Sequence, residues 1–348
     1  MRILVVFTGG TIGCAPPDRE GVLAVPKPED PKEYYVISGY DNPYKVEFDT
    51  IEPMNTLSGN MTVASWNVLL QSLKKVNFSA YDGMIVTHGT DTMAFTASLF
   101  GMLLSGIGIP AVFVGSNYEL SDERADGRQN FADAVRFIKN GKFPGTFVIF
   151  QSKVYLSTRI NQSRHFMNAY GSPDGTFFGL MKNNEFERSC HAQNPAVEDF
   201  KAIRSRKPII GSIESISACV FLIRPYVGLN YEYLSISKEI KAVLHETYHS
   251  ATACAETEEP AYSVMEFYER HKDSVSLYLA PFYSRILRED NAIKYSSTGV
   301  MMKTGIKAVC DMSLESAYAK LLLAYSLYDD EKQIGDFLDE SVFFEKLF

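Results

Sequence analysis

Two short stretches of this chain bring together residue types able to do chemistry. The first, Thr8-Gly9-Gly10-Thr11-Ile12-Gly13, directly follows the apolar run Ile3–Phe7. Ligands of open α/β sheets sit outside the carboxyl ends of the strands, so Thr11 falls where reactive groups gather. Paired glycines let backbone amides come close to a ligand. A phosphate loop is the competing reading, but the spacing is neither G-x-G-x-x-G nor G-x-x-x-x-G-K-S/T. The second stretch, His88-Gly89-Thr90-Asp91-Thr92, again follows an apolar run and precedes a helical pattern. Thr90 or Asp91 would cap that helix. The same turn sets a hydroxyl beside a carboxylate at another strand end. A threonine hydroxyl is a weak nucleophile that needs a neighbouring base and donors for the developing oxyanion. Asp91 could hold or deprotonate one threonine, and the amides of the glycine turns could receive the oxyanion. Together the stretches predict acyl transfer with no cofactor and no metal.

A third stretch, His245-Glu246-Thr247-Tyr248-His249, is a literal H-E-x-x-H. A zinc metalloprotease is the alternative it raises, with Glu266 or His271 as a conceivable third ligand. Zinc binding needs the motif on a helix, where residues i and i+4 share a face. Here Lys241-Ala242-Val243-Leu244 and Ser250-Ala251-Thr252 flank it and read as a buried strand ending in a turn. On a strand the two imidazoles would stand about 13 Å apart, too far for one ion. The segment is expected instead at the ligand-facing end of a second domain, with His249 and Ser250 as polar candidates.

These turns need a frame. Ile3–Phe7, Gly83–Thr87, Pro110–Gly115 and Thr146–Gln151 are uninterrupted apolar runs, as in parallel strands covered on both faces. Helical patterns over Trp66–Val76, Met93–Leu104 and Asp126–Lys139 alternate with them. The rhythm predicts an α/β fold: a larger N-terminal domain with a doubly wound, mainly parallel sheet, and a smaller C-terminal α/β domain. The polar, non-periodic stretch 183–207 is the expected linker, dividing the chain into 1–204 and 205–348. Beyond it, Ser217–Ile223, Ala242–Thr247 and Ser276–Ala280 read as strands. Tyr262–His271, Ser313–Tyr325 (capped by Ser313) and Asp329–Phe348 read as helices. Trp66, Phe95 and Phe100 are expected in the core, and Tyr226, Tyr231 and Tyr233 in a packed turn.

The 348 residues carry 34 Lys+Arg against 42 Asp+Glu, a net charge of −8. That balance argues against nucleic acid or an anionic membrane as partner. Five widely spaced cysteines without a C-x-x-C pair suit neither a disulfide framework nor a thiolate zinc site, and predict reduced thiols in the cytoplasm. Cys14 is expected to be inert packing. The five-residue apolar start is too short for a leader or a spanning helix.

T-G-G-T-I-G followed about 80 residues later by V-T-H-G-T-D-T resembles the bacterial-type L-asparaginase/glutaminase family. Ser58-Gly59-Asn60-Met61 is similar to its substrate-binding turn. Ala125-Asp126-Gly127 and Asp311-Met312-Ser313 through Ala319-Lys320-Leu321 extend the resemblance along most of the chain. A tRNA amidotransferase subunit is a further relative. The resemblance implies hydrolysis of the side-chain amide of asparagine, or of glutamine, with release of ammonia by a homodimer or homotetramer. It makes Thr11 the nucleophile, and Thr90 with Asp91 the second threonine and its acidic partner. Ser58 would grip the substrate α-carboxylate and Asp91 its α-ammonium, with Gly10, Gly59 and Gly89 completing the binding set. Two positions depart from the family. Its lysine, three or four residues after the arginine matched by Arg159, is replaced here by Gln162 and Ser163. Arg164 follows, but a guanidinium cannot shuttle protons, and Lys153 is a distant substitute. The family's loop tyrosine, beside the glycine matched by Gly21, is Val22 here, with Tyr34 and Tyr35 the nearest replacements.

Overall fold

A computed structural model describes residues 1–14, 45–140, 143–162, 170–288 and 295–347. The chain forms two units: Met1–Ser215 with Val342–Phe344, and Ile216–Ser341 with Glu345–Phe348.

In the first unit the described strands are β1 (Arg2–Phe7), β2 (Glu47–Ile51), β3 (Gly83–Thr87), β4 (Pro110–Val114), β5 (Gly145–Phe150), β6 (Lys153–Leu156), β7 (Gly179–Lys182) and β8 (Glu185–Arg188). They form one sheet in the order β2-β1-β3-β4-β5-β6-β7-β8. The first five strands run parallel, and β5 to β8 continue antiparallel. The Val/Ile-rich runs of β3, β4 and β5 are buried at every residue, as strands covered on both faces must be. The chain steps from β1 to β2 on one side and then to β3 on the other. Strand order therefore reverses between β1 and β3, and a crevice at such a reversal is where open sheets hold ligands.

Helices α1 (Val63–Leu73), α2 (Met93–Leu103) and α3 (Gly127–Asn140) link the central strands. Thr62 and Ser65 close a reciprocal capping box on α1. Trp66 is buried in α1 and donates its indole N–H to Thr96 Oγ1 at 2.9 Å. Phe100 is buried as expected, and Phe95 partly so.

The stretch expected as a linker is instead structured. It begins directly after β7 and supplies β8 and a short helix α4 (Asp199–Arg204), whose Phe200 and Ile203 are buried in the first core. The two-stranded β7–β8 ribbon is half exposed, so its sequence has no apolar run. The division falls at Ser215, because Lys74 and Gln71 of α1 donate to the carbonyls of Ile213 (2.8 Å) and Glu214 (2.5 Å). A cluster of phenylalanines fills the space above β5, with Phe137 and Phe147 ring centres 4.8 Å apart. Phe343 closes that cluster from far along the chain: a Cβ at Gly145 would lie 2.2 Å from its ring.

The second unit holds a parallel sheet, β12-β11-β10-β9, made of β9 (Val220–Ile223), β10 (Ala242–Glu246), β11 (Ser276–Phe282) and β12 (Lys307–Cys310). Its helices are α5 (Val264–His271), α6 (Arg285–Arg288), α7 (Ser296–Met302), α8 (Leu314–Leu327) and α9 (Glu331–Asp339). Ser313 caps α8 by accepting from Ser316 N at 3.1 Å. Lys320 on α8 is completely buried and pairs with the equally buried Glu345 at 2.6 Å. Burial pushes that ammonium below its ordinary value, and Glu345 opposes the shift. The expected helix over Asp329–Phe348 is confined to α9.

Candidate active site

Three loops converge at the reversal point. Thr8 ties the first to the strand beside it, its hydroxyl donating to Thr87 O at 2.8 Å. Gly9 and Gly10 have φ of 99° and 82°. A Cβ on Gly9 would lie 2.3 Å from Thr56 O, and one on Gly10 2.2 Å from Gly89 N. Both positions therefore demand glycine for conformation and for space. Thr11 follows at once, half-buried, opening a single 3₁₀ turn over Thr11–Gly13. A Cβ on Gly89 would stand 3.1 Å from Gly10 Cα, so the two glycine turns touch backbone to backbone. Thr11 and Thr90 are each the next residue along from one of these touching glycines.

The third loop is the turn Ser58–Asn60. Ser58 is buried, and its hydroxyl donates to Asp91 Oδ2 at 3.0 Å while accepting from Asp91 N at 3.2 Å. Thr92 Oγ1 returns a bond to Ser58 O at 2.9 Å. Gly59 leaves the other side of Asp91 open, since a Cβ there would reach 3.7 Å from Oδ2. Thr90 is half-buried and Asp91 exposed. The structure thus gathers Gly10, Thr11, Ser58, Gly59, Gly89, Thr90 and Asp91, all singled out from sequence. A hydroxyl and a carboxylate already joined can receive a carboxylate and an ammonium together, and two further hydroxyls lie on the adjoining turns.

Behind this surface the second turn is held by its carbonyls. His88 is fully buried and donates Nδ1–H to Gly89 O at 2.8 Å. Burial pulls its pKa down to about 4, so the ring is neutral at pH 7. Tyr170 OH donates to Thr90 O at 2.5 Å, and Gln162 Nε2 donates to Asp91 O at 2.6 Å. Tyr170 is itself fixed by Tyr155, whose hydroxyl donates to Tyr170 O at 2.9 Å, and by the edge of Phe150. Burial, with Asp91 and Asp126 adding negative charge, holds its phenol well above the usual range, so it stays a donor. Sequence reasoning missed Tyr170. Its one local signal is a tyrosine in the polar segment after Arg159, and the contact spans 80 positions.

Asp126 braces the loop after β4, accepting from Asn117 N at 2.8 Å and Asn117 Nδ2 at 3.0 Å. Cys14 is buried, with a thiol pushed upward by burial and then by Glu119, as suits inert packing. Lys153 is exposed over the Phe177 ring. Arg159 is spent on the carbonyls of Phe344 and Gln193. Ser163, Arg164, Gly21, Val22, Tyr34 and Tyr35 lie outside the described residues.

His245 is the penultimate residue of β10, fully buried, with Nε2 and Tyr231 OH 2.7 Å apart. His249 is exposed in the turn beyond, so the spacing is that of a strand and turn, not of a helix. Among the described residues no three His, Cys, Asp or Glu are grouped to hold a metal.

The family described as Asparaginase, N-terminal, matches residues 2–192. An L-asparaginase of Thermococcus kodakarensis is 30% identical over 186 residues, covering 53% of this chain and 55% of that protein. L-asparaginase 1 of Escherichia coli is 29% identical over 175 residues, 49% of this chain and 51% of that one. The matched region spans about half the length of these curated relatives. In solved structures, the thermostable L-asparaginase from Thermococcus kodakarensis superposes with a TM-score of 0.79 over 99% of both chains at 22% identity, a likeness of fold.

Proposed function

Starting from a chain that belongs to the asparaginase family, we propose that it hydrolyses the side-chain amide of L-asparagine, or of L-glutamine one methylene longer. The observation that carries this reading is the convergence of the Ser58–Asp91 pair (3.0 Å) with the two abutting glycine turns that present Thr11 and Thr90. Ser58 receives the α-carboxylate of the substrate and Asp91 its α-ammonium. Thr11 Oγ1 attacks the amide carbon, and backbone N–H groups of the glycine turns donate to the oxyanion. The C–N bond breaks, ammonia leaves with the threonine proton, and water then cleaves the acyl-threonine ester to release the acid. The five unbridged cysteines support a cytoplasmic address, and the family resemblance is the ground for proposing a homodimer or homotetramer.

Gln162 favours a second reading. Its amide carries no titratable proton, so it holds Asp91 in place without the acid–base service of a lysine. In that reading the cradle binds an amino acid and turns it over weakly. Ammonia release from asparagine, measured for wild type and Thr11→Ala, separates the two. Turnover lost in the variant supports hydrolysis. An inert wild type whose melting temperature rises with asparagine supports the binder. Light scattering of the purified chain tests the oligomer.

A further inference from the structure

The second unit contains a cavity of about 500 Å³, none of whose lining residues is among those assigned above to the candidate active site. Its walls come from residues 225–231, after β9, and from Tyr248, after β10, with the loop 254–262 completing them. It therefore lies past the carboxyl ends of two parallel strands, the position where open sheets bind ligands. Its size is that of a small-molecule site.

Four tyrosines, Tyr226, Tyr231, Tyr248 and Tyr262, line it together with the carboxylate of Glu259, and among the described residues no lysine, arginine or histidine does. Tyr231 is the rigid part: it is 2% exposed, its hydroxyl is bound to His245, and its ring lies 5.4 Å from Phe267. Tyr226 and Tyr248 stand 61% and 43% exposed, and the neighbouring Val227 is fully exposed, so the expected packed turn is open instead. Glu259 is exposed and makes no ion pair among the described residues. Glu256 and Glu258 add negative charge to the same loop. Arg224, next to the cavity in sequence, lies 3.7 Å from Glu246 as an ion pair.

Aromatic faces present negative potential, and a carboxylate at their rim adds to it, so such a wall attracts a cation and repels an anion. A compact, weakly hydrated alkylammonium suits it better than a metal ion, which would need several oxygen ligands. We propose that this tyrosine-lined cavity of the second unit binds a small organic cation of the quaternary or alkylated ammonium class.

The test is calorimetric titration of the full chain with choline and tetramethylammonium, alongside 3,3-dimethylbutanol, the uncharged carbon analogue of choline. Choline is expected to bind about tenfold more tightly than the uncharged analogue, and Tyr248→Leu and Glu259→Gln each to weaken it about tenfold. Both side chains are exposed, so the thermal midpoint of the variants stays at the wild-type value, which separates loss of binding from loss of folding. Equal binding of the uncharged analogue overturns the proposal in favour of a merely apolar slot. Absence of saturable heat from both cations overturns it, as does choline binding that neither substitution changes.

Discussion

His88 and His245 occupy the same kind of place in two different units. Each is buried where a parallel strand ends, and burial pulls each ring down to about 4. Each opens a sequence with further polar groups, Gly-Thr-Asp in one and Glu-Thr-Tyr-His in the other. The two differ in how the next few residues are held. After His88, side chains from three other segments grip the turn: Ser58 at Asp91, Tyr170 at Thr90 and Gln162 at Asp91. After His245, the described contacts tie down Thr247, whose hydroxyl donates to Pro281 O at 2.6 Å, while Tyr248 and His249 stand exposed. A motif becomes a candidate site through the remote residues that fix it, and only the first turn has them in number.

The largest effects should fall on the first turn. Thr11→Ala and Thr90→Ala are expected to lower ammonia release by about a thousandfold or more, with the circular dichroism spectrum unchanged. Comparable loss in His245→Gln with His249→Ala would break the comparison. Gln162→Lys sharpens it from the opposite direction: an ammonium beside Asp91 should raise turnover by about tenfold, read as kcat with little change in KM. Tyr170→Phe leaves the Thr90 carbonyl without its buried donor, a loss of about 1–3 kcal/mol. It should lower kcat more than it raises KM, because it disturbs the threonine and leaves Ser58 in place.

Acid should affect both units alike. The unfolded chain protonates each histidine near 6.5 and the folded chain only near 4, so the unfolded state binds more protons between those values. Stability is full above pH 6.5 and falls as pH drops toward 4, which melting curves against pH would show. His245→Gln should flatten part of that slope. The smallest effect is expected from His249→Ala and from chelators: ammonia release within the error of wild type. A chelator-sensitive, zinc-restored activity would make the third motif the site after all.

Much of this was legible in the sequence because it is local. The runs Gly83–Thr87 and Ala242–Glu246 are strands buried on both faces, so their hydrophobicity alone announces them. Thr11 and Thr90 were found because glycine turns at strand ends have a spacing that can be read. β2 was missed because Glu47–Ile51 is an edge strand carrying charge, and β8 because Glu185–Arg188 is partly or fully exposed throughout. Tyr170 and the grip of Gln162 on a carbonyl could not be read, since a side chain aimed at a distant backbone oxygen leaves no periodicity. The linker expectation failed for the same reason: Phe200 and Ile203 are apolar, but only the assembled sheet shows what they cover.

The insertion of Phe343 into the first unit has a consequence for the timing of synthesis. Thr158 donates its hydroxyl to Phe343 O across 185 positions of chain, and Gly145 has no side chain because that ring fills the space. A ribosome adding roughly ten residues per second would therefore spend tens of seconds between making β5 and making the residue that closes its core. During that interval the nascent first unit carries an open apolar seam beside a nearly finished sheet. A fragment ending at Ser215 would keep that seam permanently, and supplying the missing tail as a separate peptide should restore its cooperative melting.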